Sequence, residues 1–406
     1  MLDGRRRLAQ GLACAADSRQ VGSTSEIVLG IDLGTSYSTA SALIDGKLHF
    51  ALDGRGEACV PSVVHFPKTG KPIVGADAEK LRASDPHHTI FGIKRLIGRS
   101  ADSPPARLLD ACSTFKIKQP QPGGEAAIQV RPGLLQASEI AALILRHLRE
   151  RAEERFGRKI SKAVLTLPVT APEEVRSAMM RCGRMAGLEV LGLVHEPVAG
   201  AISQFDAAAD GPLLVYDFGG GTFDATVVER QGSQLHVRAS GGDDCLGGDD
   251  FDGAFARVIA DATWKSRAVD VTKDAILWDR VQRQCEQVKR ALSRSPQARF
   301  RVAEAFGSGP RAVDLEANVS RASLQPKWAD LVERSIQCSA DTLRDADVTT
   351  DQLGAVLLIG GTTYVPQVRE SVALVFPRPC IAEEDPQTAV ARGAALIAAN
   401  PALLAA

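Results

Sequence analysis

LLVYDFGGGTFDATVV, residues 213–228, reads as a strand, a glycine turn and a returning strand. The apolar run from Leu213 to Tyr216 ends on a carboxylate, Asp217. Gly219, Gly220, Gly221 and Thr222 follow, and a second β-rich run begins at Ala225. Glycines let a backbone turn and approach an anion without a Cβ clash. Successive N–H groups in such a turn form a nest for phosphate oxygens. An acid at the strand end suits a hydrated Mg²⁺ beside them. The design occurs twice. IVLGIDLGTSYSTASAL, residues 27–43, sets Asp32, Gly34, Thr35 and Ser36 between two apolar runs. Asp32 and Asp217 hold equivalent places, so two similar lobes are expected, each offering a phosphate-binding hairpin to one shared cleft. Two ordinary β-hairpins are the competing reading, and the matching acids weigh against it.

A chain of 406 residues predicts about two to four domains. A net charge of −1 provides no basic field for nucleic acid. No apolar run approaches the ~18 residues of a membrane span. The eight cysteines are well separated, with no C-x-x-C or Cys/His cluster. Scattered thiols of this kind fit a reducing cytoplasm, the expected location. Residues 1–25 carry Arg5, Arg6 and Arg7, but Gln10, Gly11 and Cys14 interrupt the apolar part. A tail is expected there rather than a signal peptide.

Along the chain, strands are expected at 48–52 and 62–66, and short irregular strands across the Pro- and Gly-containing residues 101–135. A helix begins near Ser138 and stops at Gly157. A strand at 163–167 ends at Pro168. Thr170 and Glu173 form a capping box for the next helix, which runs to Gly187. A strand at 189–194 leads to a small-residue helix that Glu196 and Pro197 open and that runs to Phe205. In the second half a strand spans about 234–239, and helices cover about 249–264, 280–294 and 324–346, the last with Pro326 in its first turn. Strand-like pieces lie near Phe300 and Val313. A buried strand spans 355–359, and helices at 365–376 and 387–399 close the pattern. The result is two α/β lobes with mixed sheets, tied by crossing helices.

LLIGGTTYVP, residues 357–366, comes off the 355–359 strand and opens a helix, a turn able to hold a nucleoside or phosphate. Glu286, Lys289, Arg290 and Ser293 share one face of the 280–294 helix, a polar face that could grip an adenosine. A solvated face with an ordinary ion pair is the alternative. Lys94 follows a strand-like segment, where it is either a surface lysine or a charge poised to place an attacking water.

Taken together, these motifs resemble the nucleotide-binding domain of the heat-shock protein 70 chaperones (the DnaK family) over about residues 26–399. The family's two phosphate motifs appear as IDLGTSYS and VYDFGGGTFDATVV, and its adenosine motif as LLIGGTTYVP. FGIKRLIG matches the segment of its catalytic lysine, LTLPVTAPEEVRSAMM and AGLEVLGLVHEPVAGAI its connecting segment, CEQVKRALS its adenosine helix, and LGGDDFD the entry to its outer subdomain. The resemblance implies a two-lobed, actin-like ATPase fold. Lobe I is residues 26–209, with an outer part at about 60–136. Lobe II is 210–399, with an outer part at about 247–324, and a tail occupies 400–406. It implies ATP or ADP with Mg²⁺, and K⁺ as a further candidate. Asp32 and Asp217 would hold Mg²⁺ through water. Thr35, Ser36, Tyr37 and the 219–222 turn, with Gly34, would bind the phosphates. Lys94, Glu196, Asp224 and Thr222 would orient the attacking water. Pro168 and Arg176 would relay nucleotide state between the lobes. Glu286, Lys289, Arg290, Ser293, Gly360, Gly361, Thr362 and Tyr364 would hold the adenosine.

Four positions depart from the family pattern. Tyr364 stands where an arginine usually flanks adenine, and Gln387 where an aspartate is usual. Gly192 and His195 replace an arginine and an asparagine at the surface the family presents to J-domain partners and the interdomain linker. A protein partner is expected, with J-domain or nucleotide-exchange partners in doubt and neither nucleic acid nor membrane. No β-sandwich peptide domain is expected in this sequence. The rival readings are a nucleotide-gated scaffold without turnover, an actin-like filament protein and a sugar kinase.

Overall fold

The computed structural model describes residues 26–204, 211–231, 234–307, 309–382 and 385–400. The tail expected at 1–25, the boundary at 209/210 and Phe205 fall outside them. Two mixed sheets share a five-strand plan, to which Val60–Pro61 adds a sixth strand in the first. In the first, Val28–Leu33 turns back into Tyr37–Ile44, and Lys47–Phe50 continues the antiparallel meander. On its other side Val28–Leu33 has Lys162–Leu167 and then Glu189–His195 as parallel neighbours. In the second, Leu213–Phe218, Phe223–Gln231 and Gln234–Asp243 form the meander, with Ala355–Ile359 and Cys380–Ala382 parallel beside it. The duplicated α/β plan read from the two Asp–Gly turns is the plan observed.

Strands covered on both faces should be apolar throughout, and Ala355–Ile359 is buried at every residue. Two helices cross between the sheets. Glu196–Ser203 lies against the second sheet. Ala389–Ala399, from the other end of the chain, lies on the first. Small residues let them meet: a Cβ on Gly393 would sit 1.7 Å from the Ala199 carbonyl oxygen. Val164, Val194, Ala199, Val215 and Ile359 belong to one buried cluster spanning both halves.

The outer parts are small sheets. The first half carries Lys116–Lys118, Ala127–Val130 and Gly133–Gln136. The second carries the hairpin Gln297–Phe306 with Val313–Ser320, packed on the helix Ala275–Leu292. Among the described residues no helix is long and apolar enough to cross a membrane.

Three local expectations are corrected. Residues 104–112 form a helix inside the stretch expected to hold only irregular strands. Its two prolines occupy the first turn, where the missing N–H groups have no intrahelical partner to lose. Thr170 and Glu173 form no capping box, because Pro172 takes the N-cap position of the helix Glu173–Met185. Pro326 lies beyond the first turn of its helix, which begins at Arg321 because the Ser320 hydroxyl accepts from the Ser323 N–H.

Candidate functional site

A cleft of about 850 Å³ runs between the two halves, and the two Asp–Gly turns face each other across it. Asp32 and Asp217 both occur at the ends of their strands. In register, Asp32 is opposite Thr39 and Asp217 opposite Asp224. The turns nearly touch: a Cβ on Gly220 would lie 2.1 Å from Ser36 Oγ. That approach requires glycine. The third turn closes over the second. Gly360 has φ 83°, and a Cβ there would meet the Phe218 carbonyl oxygen at 2.4 Å and Asp217 Oδ1 at 2.8 Å. The Thr362 hydroxyl donates to the Gly219 carbonyl at 2.8 Å.

At the cleft floor Lys94, on the single 3₁₀ turn Ile93–Arg95, pairs with Glu196 at 2.7 Å. Their side chains are 17% and 10% exposed, so the pair is largely withdrawn from water. Desolvation alone would lower the Lys94 ammonium, but Glu196 and Asp32 outweigh it and hold the group above its ordinary value. The acids respond in the opposite sense. Desolvation lifts Asp32 to about 6, with Lys94 and the Thr166 hydroxyl (3.2 Å) opposing. Desolvation and then Glu196 lift Asp224 to about 7. Asp217 is raised well above the carboxylate range by desolvation and by the neighbouring Glu196, Asp224 and Asp32. Four carboxylates thus share one ammonium. Among the described residues no three such side chains converge as a metal site, so a hard divalent cation here would be held by the two strand-end acids largely through its own waters. Asp32, Asp217 and Glu196 of this set line the cleft, and Asp224 does not.

At the other end the helix Ala275–Leu292 begins earlier than the expected 280 because Asp274 caps the Ile276 and Leu277 N–H groups. Glu286, Lys289, Arg290 and Ser293 all reach the cleft, but they have different surroundings. Lys289 is buried on Asp252 and the Gly248 carbonyl, both at 2.7 Å. Arg290 donates to the Tyr37 hydroxyl at 2.8 Å, and that hydroxyl donates to Glu286 at 3.0 Å. Tyr37, expected at the phosphates, therefore also ties its hairpin to the opposite helix. Tyr364 donates to Asp385 at 2.8 Å, and Gln387 packs on Gly361.

A family model described as Hsp70 protein matches residues 28–401. The chain belongs to the Hsp70 family. Against the Hsp70 reading of each residue, the cleft gathers Asp32, Gly34, Thr35, Ser36, Tyr37, Lys94, Glu196, Asp217, Gly219, Gly220 and Thr222. It also gathers the four helix residues with Gly360, Gly361, Thr362 and Tyr364. Four assigned residues do not line it. Gly221 turns its carbonyl to Arg95 (2.9 Å), and Asp224 stands behind Asp217 on the returning strand. Pro168 lines a second cavity behind Lys94. Arg176 sits at the surface, 3.5 Å from His195 Nε2. Sequence reasoning missed Asp249, Asp252, Glu79 and Asp385 at the cleft wall. The run of acids in LGGDDFD was a usable signal for the first two. Glu79 lies in a five-residue helix with no motif to mark it.

Proposed function

We propose that this Hsp70-family chain is a Mg²⁺-dependent ATPase that works as a nucleotide-driven switch for a protein partner. The observation that carries the reading is the Lys94–Glu196 pair at 2.7 Å, set among Asp32, Asp217 and Asp224 where the two glycine turns meet. Asp32 and Asp217 would hold Mg²⁺, which when bound neutralises charge developing on the phosphates. Backbone N–H groups of the 34–37 and 219–222 turns cradle the β- and γ-phosphates. Lys94, with Glu196, Asp224 and Thr222, positions a water for in-line attack. Its oxygen bonds to the γ-phosphorus, the bond to the bridging oxygen breaks, and ADP and phosphate result. The adenosine lies between Arg290 and Tyr364, with Glu286, Ser293 and the Gly360–Thr362 turn around it.

We take 26–209 and 210–399 as the moving units, with Pro168 and Arg176 relaying their angle. Gly192 has no side chain for a charge-assisted contact, so a general J-domain protein should stimulate turnover weakly. The decisive experiment incubates purified protein with Mg·ATP and follows ADP and phosphate. Phosphate formed in excess over protein is expected. ATP binding without turnover would instead favour the gated scaffold, and ATP-dependent sedimentation the filament.

A further inference from the structure

Behind the catalytic lysine lies a second cavity of about 50 Å³. At roughly 10–15 Å³ per water, it can accommodate several waters or one ion of phosphate size. It shares Thr35, Lys94 and Thr222 with the nucleotide cleft, so these three residues form a common wall at the phosphate end. Its remaining charged lining is Arg95, Arg99 and Asp244. The three cations each have a carboxylate partner, Lys94 with Glu196 at 2.7 Å, Arg95 with Asp249 at 3.8 Å and Arg99 with Asp244 at 3.8 Å, so an anion passing here meets basic groups already held in place. The outer end reaches solvent: Asp244 has 52% of its side chain exposed and Arg99, 3.8 Å away, 25%. Pro168, Ala171, Val175 and Met179 line the apolar wall.

Arg95 closes this route. Its side chain, 11% exposed, comes from the first half, donates to two carbonyls of the second, Gly221 at 2.9 Å and Asp244 at 3.3 Å, and lies 3.8 Å from the Asp249 carboxylate. These bonds tie the first half to the second beside the passage.

We infer that product phosphate leaves through this rear passage, from Lys94 past Arg95 to the Arg99–Asp244 mouth, and not back past the bound ADP. The inference rests on the ATPase reading. A nucleotide in the cleft would fill the route to the adenosine end, whereas the rear passage starts at Thr35, Lys94 and Thr222, which line both cavities and which the ATPase reading sets at the phosphates. Lobe rotation releases Arg95 from Gly221 and Asp244 and widens the route, which couples phosphate departure to the change in lobe angle.

The test is a single turnover of Mg·ATP followed two ways: acid quench for cleavage, and a fluorescent phosphate sensor for release. Ala171→Trp plugs the apolar wall, and Arg99→Glu reverses the charge at the partly exposed mouth. The latter variant remains informative where the tryptophan does not fold. In either variant cleavage should stay within about twofold, while release lags about tenfold or more behind it, as expected when product release is obstructed. Dissociation of labelled ADP should be unchanged. Release that keeps pace with cleavage in folded variants overturns the passage alone. Absence of cleavage in the unsubstituted protein overturns the ATPase reading and the passage with it.

Discussion

The two Asp–Gly hairpins share one backbone plan and differ in chemistry. Asp32 is opposite Thr39, accepts a hydrogen bond from Thr166 and is opposed in its upward shift chiefly by Lys94. Asp217 is opposite another acid, Asp224, and all but one of the charges acting on it are carboxylates. The first hairpin therefore has its counter-charge supplied by the protein. The second gathers acids around Asp217, which burial and those neighbours hold well above the ordinary carboxylate range. A duplicated hairpin is thus a scaffold whose two copies sit in different electrostatic surroundings. The strands behind the acids differ too. Gly30, two residues before Asp32, is where the helix Ala389–Ala399 touches the backbone, and a Cβ there would meet Ala395 N at 2.1 Å. Val215, two residues before Asp217, fills a buried apolar position instead.

The last difference gives the largest expected effect. Gly30→Val should lower stability by ~3 kcal/mol or more, since backbone cannot give way as a side chain can. Val215→Ala should cost about 1–3 kcal/mol, the loss of buried methyl groups. Urea unfolding of both variants checks this, and equal losses would remove the packing asymmetry. Next, Asp217→Asn should raise the Mg²⁺ concentration needed for ATP binding by about tenfold, roughly 1.4 kcal/mol, and Asp32→Asn by clearly less. A Mg²⁺ titration at fixed ATP measures both, and a larger effect at Asp32 would reverse the assignment of the two hairpins.

The smallest effect concerns His195, at the end of the edge strand of the first sheet. Desolvation, then Arg176, lowers its pKa below the ordinary 6.5, so the unfolded chain binds the proton more readily. Stability should therefore fall as pH drops below about 6.5, and the decline should be shallower in His195→Asn. Parallel pH profiles of urea unfolding for the two proteins would expose a wrong sign.

The sequence made the site legible wherever chemistry demanded a local pattern. An acid at a strand end, glycines in the turn and a returning strand mark both Asp32 and Asp217, because close backbone approach leaves few alternatives. Crossing helices were expected because no low-complexity linker separates the two halves; which helices cross, and the close approach of Gly393 to Ala199, emerge only in three dimensions. What could not be read depends on partners far apart in sequence. Nothing local at Tyr37 indicates that its hydroxyl lies between Glu286 and Arg290, and nothing at Arg82 indicates its 2.6 Å pair with Asp279. The helix at 104–112 was obscured by its own prolines, which begin a helix as readily as they end one. Arg95 stands beside Lys94 in the sequence, but nothing local indicates its bonds to the Gly221 and Asp244 carbonyls of the other half.

The most direct test of the account is a single turnover of Mg·ATP by Lys94→Ala beside the unsubstituted protein, with ATP affinity measured on both. Removal of the ammonium that sits between Glu196 and Asp32 should slow cleavage by ~10²-fold or more while ATP binding is retained, as for a charge acting on the transition state. Cleavage at the unsubstituted rate, with ATP bound equally well, would contradict it.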